Sequence, residues 1–165
     1  MTSRRSAGYT LTEAMLVVAI LGIVVSGGAQ LLIQVQRYFM LTKTRTALQQ
    51  QARAAMYVIT RELRQAQNAT ITVDQAAGQP FYSRITFNKI NDSTAMQFYQ
   101  SGGNLIQKRG NNVTTLSTNL IYLAFSLPRS DSLAIISVDL TLQQAIFQGQ
   151  IKALHMASEK VQVMN

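Results

Sequence analysis

The sequence has no cysteine, only two prolines and a single histidine among its 165 residues. Without cysteine the chain forms no disulfide, no thiolate metal site and no cysteine-linked lipid anchor, and cysteine usage says nothing about its cellular compartment. Neither proline lies between Tyr9 and Asn68, so no proline interrupts a helix in that stretch. Because cysteine does not indicate the cellular compartment, that information must come from the N-terminus.

Side chains that commonly carry catalysis are scarce as well. His155 lies in the alternating run from Ile151 to Met156, where a histidine on one face of a strand is the ordinary interpretation. Asp131 and Asp139 are eight residues apart and lack the closely spaced oxygen ligands of a calcium loop. The sequence has no glycine-rich phosphate loop and no carboxylate pair with an obvious common face. We therefore expect no catalytic residue, no metal and no cofactor, and predict that the protein is not an enzyme.

Acidic residues are few, and the basic excess is unevenly placed. The chain has 15 Lys and Arg against 7 Asp and Glu, a formal charge of +8. Arg4 and Arg5 precede the hydrophobic run, which is the charge order that keeps an N-terminus cytoplasmic. The C-terminal part is nearly balanced and has no dense basic stripe with interleaved aromatics, so DNA is the weaker candidate partner.

A long uncharged stretch follows one conspicuous acid, Glu13. No charge occurs from Ala14 to Gln36, and the apolar part to Ile33 matches the ~20 residues that cross a bilayer once. A charge at the centre of such a helix costs about 2.5–3.5 kcal/mol, so Glu13 is expected either to lie shallow or to have a partner. Glycines within the run are predicted to loosen the helix or allow close helix packing, and these are Gly22, Gly27 and Gly28.

The pattern then changes to that of an amphipathic helix. Apolar residues recur at steps of three and four, in an arc of roughly 100°, with Arg53, Arg61 and Arg64 away from it. We predict one nearly continuous helix from Tyr9 to Asn68, ~90 Å long at ~1.5 Å per residue. The arc is predicted to pack under a β-sheet rather than form a separate partner groove, and consists of Leu48, Ala52, Ala55, Met56, Ile59, Leu63 and Ala66.

Beyond Asn68 short β-rich runs alternate with turn residues, which predicts a head made mainly of strands. The Gly102-Gly103-Asn104 turn between Met96-Gln97-Phe98-Tyr99 and Leu105-Ile106-Gln107-Lys108 indicates a β-hairpin. Strands are predicted at Tyr82–Asn88, Ala95–Gln100, Leu105–Lys108, Leu120–Leu127, Leu133–Leu142 and Gln150–Val163.

The N-terminal residues resemble the signal of type IV prepilins and of type II secretion pseudopilins. The resemblance rests on a short basic leader, then Gly8-Tyr9-Thr10-Leu11-Thr12-Glu13 and the apolar run to Gly22. The stretch from Ile59 to Ala66 is similar to the end of the long helix in J-type minor pseudopilins and W-type minor pilins. The missing cysteine pair and the absence of proline from the helix favour a minor subunit over a major one.

The resemblance implies an α+β, type IV pilin-like fold with a membrane-spanning N-terminal helix and a mainly antiparallel β head. It implies a leader of residues 1–8, a transmembrane helix of 9–33, an amphipathic continuation of 34–68 and a head of 69–165. It also implies cleavage between Gly8 and Tyr9 by a prepilin peptidase, N-methylation of Tyr9, and a head in the periplasm. The implied partners are other pilin or pseudopilin subunits, the inner membrane and its assembly platform, and the implied role is initiating or capping a filament.

Cleavage after Gly8 would create an amine on Tyr9, four residues before Glu13 and on the same helical face. In an apolar surrounding an unpaired Glu13 is penalised, so a shared amine–carboxylate pair would fix the axial register of neighbouring subunits. The simpler alternative places Glu13 in the headgroup region without a partner. The lack of a Cβ on Gly8 would let the extended backbone enter a protease cleft closely.

Two other interpretations stay open. A conventional signal peptide cut near Gly27-Gly28-Ala29 would release a periplasmic or extracellular binding module, although Glu13 would then interrupt its apolar region. An anchored enzyme would instead need a convergent polar cluster in the head. The start of the mature chain distinguishes these alternatives, because a filament subunit begins at Tyr9 and a conventionally secreted protein near Gln30.

Overall fold

One long helix precedes eight strands in the residues that the computed structural model of the protein describes, which are 8–90, 92–129, 134–146 and 151–163. Two compact units divide the chain, the first ending at Met40 and the second beginning at Leu41. The predicted class is confirmed, because the chain combines a long apolar N-terminal helix with antiparallel sheets in a type IV pilin-like layout.

Helix α1 spans Leu11–Arg64. Its part in the first unit is exposed at every residue except the half-buried Gly28, and α1 is long and apolar enough to cross a membrane. The hydroxyl of Ser26 donates a hydrogen bond to the Ile23 carbonyl at 2.9 Å, so this polar group is satisfied within the helix itself. The Ser26 hydroxyl therefore needs no hydrogen-bond partner from outside the helix.

The helix is shorter than predicted at both ends, since it begins at Leu11 rather than Tyr9 and ends before Asn68. It stops at Arg64 rather than Asn68 because the next residues bond to strand β2 instead: the Gln67 amide donates to the Asn88 carbonyl at 2.9 Å, and Ala66 forms a β-bridge with Lys89. A short 3-10 turn, Asn68–Thr70, follows. The helix end is thus set by contacts distant in sequence.

The strands form two antiparallel sheets within the second unit. A five-stranded sheet has the order β1-β2-β3-β4-β5 and a three-stranded sheet the order β6-β7-β8. The bounds are β1 Thr72–Asp74, β2 Arg84–Lys89, β3 Asp92–Ser101, β4 Asn104–Arg109, β5 Asn112–Ser117, β6 Leu120–Ser126, β7 Ile135–Ile146 and β8 Ile151–Gln162.

The predicted hairpin around Gly102-Gly103 is confirmed. Ser101 pairs with Asn104 across this two-residue loop, and Gly102 has a φ of 56°. A positive φ at the first of two central residues is the pattern of the II′ turn, whose twist matches that of the flanking strands. The Gly110 turn, with a φ of 57°, joins β4 to β5 in the same way.

Strands β1 and β5 were missed by the sequence analysis. The first has only three residues, and the second is an edge strand whose first four residues are exposed, so neither shows an apolar alternation. Strand β7 continues to Ile146, four residues beyond the predicted end. The predicted strand starts at Leu133 and Gln150 lie outside the described residues.

The core of the second unit lies between the helix and both sheets. Phe87 and Phe98 stack with ring centroids 6.2 Å apart, and both are fully buried. The amide of Gln100 joins the two sheets by donating to the Gly102 and Ile121 carbonyls at 3.2 and 3.1 Å. Sequence-distant side chains from β6 and β7 complete this core, among them Leu123, Phe125, Ile136, Val138, Leu140 and Leu142.

Candidate functional site

The N-terminal end of α1 is closed by a hydrogen-bonded cap. The Glu13 amide donates to the Thr10 carbonyl at 3.1 Å and to the Thr10 hydroxyl at 3.3 Å. This is the N-cap half of a capping box, in which the side chain of a Ser or Thr at the N-cap accepts from the amide of a Glu or Gln three residues later. Sequence reasoning missed this role, although the spacing Thr10-Leu11-Thr12-Glu13 carries the signal.

Glu13 therefore lies in the first turn of the helix, where the exposed amides favour a negative charge. Gly8 and Tyr9 precede the helix, and Tyr9 is exposed. Gly8, Tyr9 and Glu13 are close together in one exposed N-terminal segment, so another molecule can contact all three. Arg4 and Arg5, the predicted leader charges, lie outside the described residues.

The three glycines of the apolar run all lie inside α1, which is unbroken at each of them. A Cβ built on Gly22, Gly27 or Gly28 would meet no atom within 4 Å outside its own chain neighbourhood. Their suggested part in flexibility or helix packing stays a prediction.

The predicted apolar arc of the second half of the helix lies in the core of the second unit. Leu48, Ala52, Ile59 and Leu63 are at most 1% exposed. Ala55, Met56 and Ala66 are buried in the same cluster as the sheet residues. Arg53, Arg61 and Arg64 lie on the exposed side of the helix, away from the apolar arc, as their spacing predicts.

An acid that the sequence analysis did not select, Glu62, is buried at the end of this arc. Its Oε2 makes an ion pair with the Nζ of Lys89 on β2, and its Oε1 accepts a hydrogen bond from the Arg61 guanidinium at 2.9 Å. Burial alone raises the pKa of Glu62, but the contacts with Lys89 and Arg61 outweigh it and hold this pKa below its ordinary value. The pair fastens the helix to β2, beside the bridge between Ala66 and Lys89. No sequence signal pairs these two residues, because they are 27 positions apart.

We expect Lys89→Met to destabilise the second unit by about 1–3 kcal/mol at pH 7, since it leaves a buried carboxylate with only its half-exposed Arg61 partner. The folded pKa of Glu62 is depressed, so the stabilisation is present above the unfolded pKa of about 4.3 and is lost as the pH falls through the folded pKa. Urea unfolding of the detergent-solubilised chain, followed by circular dichroism at a series of pH values, measures this effect.

The matched control for that substitution is the double variant Glu62→Met with Lys89→Met, which removes both charges. Its free energy of unfolding should be closer to that of wild type than that of Lys89→Met alone, and should depend less on pH. An equal loss in both variants at every pH would contradict the assigned ion pair.

These features define a class of protein. A capped apolar helix carries an acid in its first turn, its second half is buried against antiparallel sheets, and the layout is that of type IV pilins.

Comparison with known families gives the same result for the N-terminus. Residues 3–29 match the family described as the prokaryotic N-terminal methylation motif. The chain thus carries a type IV prepilin-like signal, confirming the resemblance seen in the sequence. No curated protein and no solved structure matches the chain significantly.

The motif supports a type IV pilin- or pseudopilin-like protein and implies prepilin peptidase cleavage and assembly with other pilin subunits. Its long apolar helix fits anchoring in a membrane. Proteins with this motif are structural rather than enzymatic. Within the described ranges, no three His, Asp or Glu residues are grouped as metal ligands.

Proposed function

We propose that the protein is a minor subunit of a type IV pilus or type II secretion pseudopilus, and that it helps to initiate or cap the filament. The observation that carries the proposal is the methylation motif over residues 3–29, continued by an apolar helix with Glu13 in its first turn. In this proposal residues 1–8 are removed and 9–33 cross the inner membrane. Residues 34–68 continue the helix, and 69–165 form a periplasmic head.

The minor role is supported by composition and resemblance rather than by the motif, which major and minor subunits share. The chain has no cysteine pair to close a C-terminal loop, and Ile59 to Ala66 resemble the helix end of J-type and W-type minor subunits. A subunit at the tip contacts neighbours on one side only, so its head is free of the constraint to repeat along a fibre. The assembly platform of the inner membrane is its further proposed partner.

The proposed chemistry at the N-terminus is a pairing between subunits. Cleavage after Gly8 gives Tyr9 a new amine, which is N-methylated and still cationic. The Glu13 carboxylate of a neighbouring subunit would neutralise it, because either charge alone is costly in an apolar surrounding. The pair would therefore select one axial register, which a uniformly apolar helix surface does not.

Intact-mass and N-terminal peptide mass spectrometry of the chain from cells that contain a prepilin peptidase tests this proposal. We expect a mature chain that begins with N-methylated Tyr9. The same protein from cells without the peptidase is the control and should keep residues 1–8. A mature start near Gln30 would instead favour the conventionally secreted binding module and overturn the filament proposal.

A further inference from the structure

A groove opens between the second half of α1 and strand β8, entirely within the unit that begins at Leu41. Its volume is roughly 840 Å³, within the ~300–1,000 Å³ range of ligand pockets. Its apolar lining includes Ala52 and Met56 from the helix and Ala157 from the strand, and the largely exposed ring of Tyr57 stands beside them. Ala52 and Met56 are themselves buried, so the accessible apolar surface beside the sheet includes the Tyr57 ring and the half-buried Ala157.

Strand β8 is at the edge of the three-stranded sheet. It pairs with β7 along all 12 of its residues and with no other strand in the described part of the chain. The residues that line the groove, His155 to Glu159, lie in the middle of this edge strand. An edge of this length offers unpaired backbone amides and carbonyls, onto which an extended segment can add a further strand.

The helix side of the groove is basic. Arg53 and Arg64 are exposed and form no ion pair with any described residue, whereas Arg61 is engaged by Glu62 and by the Tyr57 ring, 5.9 Å from its guanidinium carbon. The strand side contributes one acid, Glu159. The groove therefore favours an occupant that brings carboxylates to the two unpaired arginines.

The spacing of those arginines sets the spacing of the carboxylates. Arg53 and Arg64 are 11 residues apart on the helix, or ~16 Å at ~1.5 Å per residue. An extended chain covers that distance in about five residues at ~3.3 Å each. The occupant should thus carry acids four or six residues apart, since only residues an even number apart share a face of an extended strand.

A second copy of this chain does not meet that requirement. Its seven acidic residues are never closer than eight positions to one another. Among the described ones, Glu62, Asp74 and Asp92 are already paired with basic side chains of the same molecule. Two copies, each with a formal charge of +8, also repel each other.

We propose that this groove binds an extended acidic segment of a different protein, which adds a strand to the free edge of β8. Its carboxylates lie against Arg53 and Arg64, and its apolar side chains pack on Tyr57 and Ala157. This interaction goes beyond the proposed filament role and does not depend on cleavage after Gly8, because the groove lies wholly in the second unit.

The test uses the full chain in a nonionic detergent and a fluorescein-labelled peptide of eleven residues in which glutamate alternates with valine or threonine. Fluorescence anisotropy should show saturable binding. Two control peptides separate the two contributions: one has lysine in place of every glutamate, and the other keeps the sequence but has alternate backbone amides methylated. Both controls should bind at least about tenfold more weakly. Absence of binding, or equal binding of all three peptides, would overturn the proposal.

The location is tested with the double variant Arg53→Glu with Arg64→Glu, and with the milder Arg53→Gln with Arg64→Gln if the first lowers the helix content seen by circular dichroism. Either should weaken binding of the acidic peptide by roughly tenfold or more. The matched control is Arg45→Glu with Arg129→Glu, the same change in charge at two exposed positions that do not line the groove, and it should bind as wild type does. An equal loss in the control would indicate general charge attraction and overturn the site.

Sedimentation of the same samples without peptide tests the other occupant. Wild type and variants should sediment alike in the detergent. A self-associated species that the Arg53 and Arg64 substitutions dissociate would show that a second copy fills the groove, contrary to the proposal.

Discussion

Replacing Gly8 with valine should leave the protein at its full length of 165 residues in cells that process the wild type to a chain beginning at Tyr9. The reason lies in the substrate cleft of the prepilin peptidase and not in the protein's own fold. A Cβ built on Gly8 meets no atom within 4 Å, and the backbone there does not have the positive φ that favours glycine. A side chain at this position therefore meets no obstacle at its Cβ in this molecule, whereas a branched one obstructs close entry of the backbone into a peptidase cleft.

Intact mass of membrane-extracted protein measures this effect, with no detectable removal of residues 1–8 expected in Gly8→Val. The matched control is Gly22→Val, the same change at another glycine with open space around it, inside α1 and away from the cut. It should be processed as wild type is. Normal processing of Gly8→Val would contradict the assignment of the cleavage site.

The parts of the fold that local chemistry determines were predicted well from the sequence. The uncharged run after Glu13 and the three- and four-residue spacing after Leu48 both give a helix, and α1 joins them in one element. The Gly102-Gly103 loop specifies its own turn and hence the register of β3 and β4. In each case a few adjacent residues contain the whole signal.

Features that depend on residues far apart in sequence were not predictable in the same way. The packing of the two sheets on each other depends on contacts such as the Gln100 amide with the Ile121 carbonyl, 21 positions away. The end of α1 depends on Asn88 and Lys89, whose bonds take the place of further helical turns. Strand β5 is largely exposed, so its Val113-Thr114-Thr115 run showed β propensity without the alternation that identifies a half-buried strand.

The same distinction applies to the candidate sites. Gly8, Tyr9 and Glu13 were selected from the sequence because they form one short motif, and their individual roles stay predictions. Glu62 was not, since a lone acid in an amphipathic helix is ordinarily solvated, and its partner Lys89 is brought to it only by folding. The groove beside β8 was equally hidden, because an edge strand is defined by the sheet order and not by its own residues.

Glu13→Ala is expected to leave the protein inserted in the membrane and cleaved, but to reduce its incorporation into filaments by at least about tenfold. A carboxylate in the apolar part of a membrane costs about 2.5–3.5 kcal/mol of insertion free energy. The amine of a neighbouring subunit offsets that cost only when the two subunits are in the paired register. Removal of the acid leaves the amine of Tyr9 without this partner. The measurement is the fraction of the protein that sediments with sheared filaments, relative to the total processed protein.

Helix capping supplies a competing explanation, because Glu13 stands at the third position of α1, from which a Glu side chain reaches the N-cap amide in a capping box, and its own amide is bonded to Thr10. Glutamine serves that position of a capping box nearly as well as glutamate does, but it has no charge. Thr10→Ala does the opposite, since it removes the hydroxyl cap, at a cost of about 1 kcal/mol, and keeps the carboxylate.

If charge pairing directs assembly, Glu13→Gln should be as defective as Glu13→Ala, while Thr10→Ala should assemble normally. If the acid merely caps its helix, the order reverses: Glu13→Gln assembles and Thr10→Ala is the impaired variant. Because the two substitutions separate the charge from the cap within four residues, the outcome assigns Glu13 to contacts between subunits or to its own helix.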